Sequence, residues 1–533
     1  MIDMNPVDDA TIRDSMDKRA ASRPGSVYCR FNEHIYTFGE IDNLANRIAN
    51  GLLARGLQPG DRVALMLPSH PDHIVAVLAL AKAGFVRVSI NVHLIGPALE
   101  YAFDRFEPHA ALIDEAYLGA AGPILERMPA MQVITRSRSE ERAPGGFDSL
   151  LNHADASSPR TALHADSVLA LTPSSGTTGP PKGVLKSDRT LRAGAMGVLR
   201  VSGARDGAVF LFWEALHHGA GVAVLIAAVL EQITLVMVER FSASAFWDQV
   251  RRNKVTHIHY LGGVLPLLLK QPPTPADREH DVRVAWGGGC PPDIWQTFAE
   301  RYGVEIHEGY GLSEMTTFVT ANLNGPRGSM GLPLSWFDIR LADDNGNEVA
   351  VGEPGEVIIR NRQPGLGFLG YFRNDEATRN ACRDGWFCTG DLAKRDAAGY
   401  LYFGGRKKDS VRRRGINISA WEVERIISDH EAVEECALIG VPSELGDDEL
   451  MIFVRIAPGT ALRPADLIAW CKERLPHFQV PRYVEFIDEF PKTPTLRIRK
   501  MDLPRNTAGV WDAESVNGAL APGPSPGGRG KSR

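Results

Sequence analysis

From about residue 60 the chain repeats one theme: a short apolar run, a glycine or proline break, then a helix-length amphipathic stretch. Residues 63–67, 71–83 and 85–90 read as strand, helix and strand. Apolar runs of strand length return at 168–171, 234–238, 256–261 and 282–286, the last followed by a helix that starts at Pro291 and Pro292. Strands that alternate with helices in this way form parallel sheets covered by helices. With 533 residues the chain is longer than one hydrophobic core can serve, so at least two domains are expected, one of them large.

After Gly331 the texture changes. Asp344-Asn345-Gly346 and Gly352-Glu353-Pro354-Gly355 are turn signals beside apolar runs, which fits a β-rich subdomain. Past Arg406 a smaller α/β unit is expected, with helices over 421–428 and 464–474 and strands over 433–441 and 450–456. The boundary falls within 404–408, and residues 521–533, rich in Pro, Gly and Ser, read as an unstructured end. The fold class is α/β: a large N-terminal domain of helix-covered parallel sheets plus a β-rich subdomain, then a small α/β C-terminal domain.

Charge and cysteines narrow the function. A formal charge of −6 gives no general attraction to nucleic acid or anionic lipid, so any polyanion must be met by a local site. The most apolar stretch, 222–238, is interrupted by Glu231, Gln232 and Thr234 before it spans a bilayer, and Met1-Ile2-Asp3-Met4-Asn5 lacks the pattern of a signal peptide. A cytoplasmic protein without integral membrane contact is expected. The six cysteines form no CxxC pair, against a zinc site or a disulfide framework. His257 and His259 alternate on an expected strand; without a third ligand they read as structural residues. HExxH is absent, and the one GxSxG match, residues 523–527, falls in the Pro-, Gly- and Ser-rich end, so metalloprotease and serine-hydrolase readings have no foothold.

The most informative stretch follows the strand at 168–171: Thr172-Pro173-Ser174-Ser175-Gly176-Thr177-Thr178-Gly179-Pro180-Pro181-Lys182-Gly183. Glycines leave backbone N–H groups accessible, hydroxyls donate hydrogen bonds and a lysine adds a point charge, a combination suited to a polyphosphate. The spacing is not that of a Walker loop. A Ser/Gly linker would not need two threonines and an ordered Pro-Pro-Lys-Gly ending.

This loop resembles the phosphate-binding signature of the adenylate-forming superfamily, which contains acyl-CoA synthetases, luciferases and adenylation domains; further motifs in order extend the resemblance over about residues 20–505. Gly309-Tyr310-Gly311-Leu312-Ser313-Glu314 is similar to the family's YGxTE motif, with Ser313 keeping the hydroxyl of the usual threonine. By that resemblance Glu314 holds Mg²⁺, a hard cation that takes carboxylate and phosphate oxygens. Gly287-Gly288-Gly289 resembles the segment against the adenine, with Glu308 to Tyr310 as the other wall. Trp386-Phe387-Cys388-Thr389-Gly390-Asp391 is similar to the motif whose aspartate accepts the ribose hydroxyls, and Arg406 looks like the arginine that also contacts the ribose.

The resemblance further implies a C-terminal domain that swings about Lys408 between adenylating and thioester-forming poses. The expected division is then 1–405, a hinge at 406–408, a mobile domain at 409–507 and a flexible tail at 508–533. Arg412 would approach the adenylate, and Arg414 and Gly415 would line the coenzyme A tunnel. Trp213 lies where the family often gates the acyl pocket, and His217 and His218 follow; packing of an apolar-aromatic segment in the core explains them equally well. The run from Arg406 to Glu424 resembles the carnitine and crotonobetaine-CoA ligase branch, in a domain that does not touch the acyl group.

One departure stands out. Where the family's late P-x-T-x-x-G-K motif supplies a catalytic lysine, this chain reads Pro491-Lys492-Thr493-Pro494-Thr495-Leu496-Arg497. A guanidinium keeps the charge but is planar and wide. Adenylation that is reduced but real is expected, with Arg497, or else Lys500, in the role. The resemblance thus implies an ATP-dependent, AMP-forming acid–thiol ligase using ATP, Mg²⁺ and coenzyme A on a small carboxylic acid. A stand-alone adenylation enzyme loading a carrier protein and a nucleotide-binding pseudoenzyme are the alternatives.

Overall fold

The computed structural model describes residues 8–137, 145–173, 182–413, 416–442, 448–492 and 497–515. By its internal contacts the chain falls into two compact units: residues 1–340, 358–388 and 395–402, and residues 341–357, 389–394 and 403–533.

The first unit carries two parallel sheets. One has seven strands in the order Glu305–Glu308, Val284–Gly288, His257–Leu261, Val209–Phe212, Thr234–Met237, Val27–Phe31, His34–Thr37. Only its last pair is antiparallel. The other has six strands in the order Gln132–Arg136, Ala110–Asp114, Arg62–Met66, Val86–Ser89, Val168–Pro173, Gly183–Ser187, again antiparallel only in its last pair. Ligand sites in such sheets lie beyond the carboxyl ends of the strands. The segments after residues 173, 212, 261, 288 and 308 are therefore the ones placed for binding.

Local chemistry explains the helix bounds. Pro71–Ala83 begins with proline in its first turn after the His70 cap, whose ring accepts from Asp72 N, and ends at Gly84 with φ 81°. The amphipathic reading of this helix is corrected: every residue except Asp72 is buried. It packs on Phe38–Ala54 and on Ile12–Ser22, and its one lysine, Lys82, is neutralised there by Asp17 and Asp42. Gly219–Leu230 is apolar all round and buried from Gly221 to Val229, as a helix without a polar face must be.

The β-rich stretch forms a sheet in the order Phe337–Ala342, Gly355–Asn361, Trp386–Arg395, Cys382–Arg383, with Leu401–Arg406 also on Trp386–Arg395. The Asp343 carboxylate accepts from Asn345 N and Asn347 N, and Gly346 takes φ 88°. An aspartate that caps its own turn and a glycine in the left-handed region account for this reversal.

In the second unit Val433–Pro442, Asp448–Ile456, Tyr483–Phe486 and Trp511–Asp512 form a four-stranded sheet in that order. Leu438, Ile452 and Val454 pack on one face with Val423 and Ile427 of the helix Ala420–Ser428, while Ala437, Ile439, Met451 and Phe453 face the other way. This is the period of two expected of a strand buried on both sides. The short strand Trp511–Asp512 lies within the segment expected to be a tail; Asp512 is tied to Arg482 at 2.9 Å.

Candidate active site

The strands Val284–Gly288 and Glu305–Glu308 bring Gly287 opposite Glu308, and Gly309 N donates to Gly287 O at 2.8 Å. A Cβ at Gly287 would lie 1.9 Å from Tyr260 O, so only glycine fits this strand end. The Glu308 carboxylate faces inward: it accepts from Gly289 N at 2.5 Å, Cys290 N at 3.2 Å and the Tyr260 hydroxyl at 2.5 Å. Burial pushes its pKa up to about 7, against the pull of these donors. Glu308 thus braces the glycine turn by its side chain. Tyr310 is buried, with its N–H donating to Thr320 Oγ1 at 3.0 Å and its carbonyl accepting from Val319 N at 2.7 Å. Gly311 lies against Thr317 O, and Ser313 is exposed.

Two charged residues converge on one phenol. Lys182 Nζ lies 4.7 Å from the centre of the Tyr371 ring, and the Tyr371 hydroxyl donates to Glu314 Oε1 at 3.2 Å. Lys186, buried, donates to Met315 O. Burial lowers its pKa to about 8, partly offset by Glu314. Ser174, Ser175, Gly176, Thr177, Thr178 and Gly179 lie outside the described residues. The root of that loop is described: the Thr172 methyl is 3.8 Å from where a Cβ on Gly219 would stand, at the start of the helix Gly219–Leu230. His218 occupies that helix's N-cap position, its ring 4.3 Å from the His217 ring. Burial, with His218, His73, His93 and Arg87 adding to it, lowers His217 to about 2, so its imidazole is neutral.

Trp213 is half-buried; its indole N–H donates to His259 O at 3.1 Å, and its ring stacks on that of His259. His259 in turn stacks on Trp286 at 4.2 Å and pairs with Glu214 at 2.7 Å. His257 shares a hydrogen bond of 2.8 Å with Thr256 Oγ1. Among the described residues no group of three or more His, Cys, Asp or Glu side chains is arranged to hold a metal. A single carboxylate such as Glu314, completed by phosphate oxygens and water, is the donor set that suits Mg²⁺.

In the second unit Asp391, buried, is 3.0 Å from Arg406 Nε, and its N–H donates to Thr389 Oγ1 at 3.0 Å. Gly390 N donates to Glu356 Oε1 at 3.0 Å, and Lys407 bridges Glu356 at 2.8 Å and Asp344 at 2.9 Å. Arg497 lies within electrostatic reach of Arg406, which opposes its charge, and of Asp391, which favours it. Lys500, the alternative to Arg497, pairs with Glu424 at 2.7 Å. Lys408 sits in the single turn Lys407–Asp409. Arg414 and Gly415 lie outside the described residues.

The model of the AMP-binding enzyme family matches residues 16–372, and that of the AMP-binding enzyme C-terminal domain matches 422–496. The chain belongs to the AMP-binding enzyme family.

This AMP-binding enzyme is 32% identical to the medium/long-chain-fatty-acid–CoA ligase of Mycobacterium tuberculosis, over 98% of this chain and 90% of that one. It is 29% identical to the crotonobetaine/carnitine–CoA ligase of Escherichia coli O157:H7, over 89% and 91%. Among solved structures it resembles the anthranilate CoA ligase AuaEII in complex with anthranoyl-AMP, with a TM-score of 0.84, 25% identity and coverage of 93% of this chain and 98% of that one. It is an AMP-forming acyl-CoA ligase, and ATP and coenzyme A are its co-substrates.

Sequence reasoning missed Tyr371, Lys186, Tyr260 and Glu356. None stands in a motif with the residue it serves: Tyr371 is 57 positions from Glu314 and Tyr260 is 48 from Glu308. Only the pairing of distant strands brings them together.

Proposed function

We propose that in this ligase Lys182, Glu314 and Arg497 act on the triphosphate while Asp391 and Arg406 hold the ribose. The observation that carries this reading is the convergence of Lys182 and Glu314 on Tyr371, which presents a cation and a metal-competent carboxylate side by side. Mg²⁺, when bound at Glu314, would cancel charge on the polyphosphate.

The remaining work belongs to the chain. A carboxylate oxygen must attack the α-phosphorus as the bond to pyrophosphate breaks. Two anions meet in that step, so fixed positive charge is the main requirement. Lys182 and Arg497 supply it, with the N–H groups of Ser174, Ser175, Gly176, Thr177, Thr178 and Gly179 and the Ser313 hydroxyl on phosphate oxygens. Gly288, Gly289, Gly309, Tyr310 and Gly311 wall the adenine. The Asp391 carboxylate accepts both ribose hydroxyls, and Arg406, paired with it, fixes its orientation.

In the second half-reaction the thiol of coenzyme A loses its proton, its sulfur attacks the acyl carbon, and AMP leaves. Lys408 would be the pivot between the half-reactions, Arg414 and Gly415 the lining of the thiol's approach, and Trp213 and His218 the wall of the acyl pocket. Both co-substrates, and six cysteines none of which is joined in a disulfide, fit a cytoplasmic site of action. No helix among the described residues is long and apolar enough to cross a membrane.

The test is exchange of labelled pyrophosphate into ATP across a panel of short, medium, aromatic and betaine acids, followed by addition of coenzyme A without any other protein. Acid-dependent exchange and acyl-CoA formation are expected. Exchange without acyl-CoA would move the acceptor to a carrier protein; ATP binding with no exchange for any acid would end the reading.

A further inference from the structure

We propose that Tyr371 is a positioning residue: it sets Lys182 and Glu314 in fixed places on either side of one phenol, so that both meet the same triphosphate. The proposal rests on the site reading above.

Three observations support it. First, the backbone around Tyr371 is stitched to the strand that follows Lys182. Leu185 N donates to Gly370 O at 3.1 Å, Phe372 N donates to Gly183 O at 2.8 Å, and Val184 and Tyr371 form a bridge. The phenol is therefore registered to the lysine by main-chain hydrogen bonds. Second, the ring itself is fixed. Tyr371 is buried, its N–H donates to Thr378 Oγ1 at 2.9 Å, and its ring meets Phe368 edge-on at 4.9 Å, which in turn packs on Phe387. Third, the two faces of this fixed group do different things: the π-face takes the Lys182 ammonium, and the hydroxyl donates to Glu314 Oε1.

A free lysine side chain samples many rotamers, and holding it where it is needed removes an ordering cost from the moment of binding. A carboxylate with one oxygen already engaged presents the other in one direction. Tyr371 does both, so phosphate and metal requirements are coupled through a residue that need not touch either.

The two halves are separable. Tyr371→Phe keeps the face and removes the donor; Tyr371→Leu removes both. Nucleotide binding is read by calorimetry with ATP alone and at a series of magnesium concentrations, alongside pyrophosphate exchange and thermal unfolding. For Tyr371→Phe, ATP affinity at saturating magnesium stays close to that of the parent while the magnesium midpoint rises at least about tenfold, the size of one lost hydrogen bond to a charged group. For Tyr371→Leu, ATP affinity without magnesium also falls about thirtyfold, the size of a desolvated cation–π contact. Adding Lys182→Ala to Tyr371→Leu then causes no further loss of ATP affinity beyond that of Lys182→Ala alone.

Full additivity of the two substitutions would overturn the proposal. So would a Tyr371→Leu protein that melts earlier yet binds ATP and magnesium like the parent, since the ring would then be packing only. These binding readouts hold whether or not any acid in the panel supports exchange, so failure of Tyr371 in this role and failure of the ligase site reading are distinguishable.

Discussion

The hydroxyl of Tyr260 donates to the carboxylate of Glu308 at 2.5 Å, and the same carboxylate accepts from the backbone of Gly289 and Cys290. A residue expected from its motif to form a wall of the nucleotide pocket is thus also the brace of the Gly289–Cys290 turn.

That brace titrates. Burial raises Glu308 from 4.5 to about 7, so between these values the folded state holds the proton and the unfolded state does not. The contribution favours folding below pH 4.5, declines as pH rises, and is lost above about 7. Glu308→Gln removes the titration. Its stability relative to the parent should therefore rise by about 2 kcal/mol between pH 5 and pH 8, read by urea unfolding at both values. Parallel pH dependences for the two proteins would show that Glu308 does not titrate in this window.

By the resemblance of residues 491–497 to the family's late motif, Arg497 is expected in the lysine's place. Arg497→Lys puts a compact charge in the place of a wide one and should raise the pyrophosphate exchange rate about tenfold, whereas Arg497→Ala should lower it about 10²-fold. Lys500→Ala should change exchange far less, because Lys500 is engaged by Glu424. If neither substitution at 497 alters exchange, the role lies elsewhere.

Lys82 is fully buried and pairs with Asp17 at 2.6 Å and with Asp42. Removing one partner of a buried ion pair strands the other. Lys82→Met should cost about 3–5 kcal/mol in urea unfolding, and adding Asp42→Asn should recover part of it. An unchanged unfolding midpoint in Lys82→Met would contradict the pairing.

His73 is buried with Nδ1 3.2 Å from Pro68 O, and burial lowers its pKa from 6.5 to about 3. For a histidine held neutral, the stabilising contribution is present above 6.5 and is lost as pH falls from 6.5 towards 3. His73→Asn keeps a donor for Pro68 and removes the titration, so its stability should fall with acid less steeply, by about 1.4 kcal/mol per pH unit in this range. Equal slopes for the two proteins would mean that His73 is not kept neutral.

Much of the fold was legible because its signals are local. The helix Pro71–Ala83 has the bounds expected of it, since proline, the preceding cap and the following glycine act within a turn of where they stand. The strands near 63–67, 234–238 and 433–441 also fall within a residue of expectation, because an apolar run between breaks marks its own ends. The face that a helix buries is not local. Pro71–Ala83 read as amphipathic, yet it is enclosed almost completely, because Asp17 and Asp42, far along the chain, meet its lysine.

The site divides in the same way. The chain alone determined which chemical groups are present: the glycine- and hydroxyl-rich loop ending in Lys182, the Tyr310–Glu314 motif, the Thr389-Gly390-Asp391 triplet and Arg497. Motifs survive in sequence because their residues act at short spacing. Only the tertiary structure decided which groups face one another. Tyr371 reaches Lys182 and Glu314, and Tyr260 reaches Glu308, through registers set by hydrogen bonds between distant strands, and such pairings leave no mark in any window of neighbouring residues.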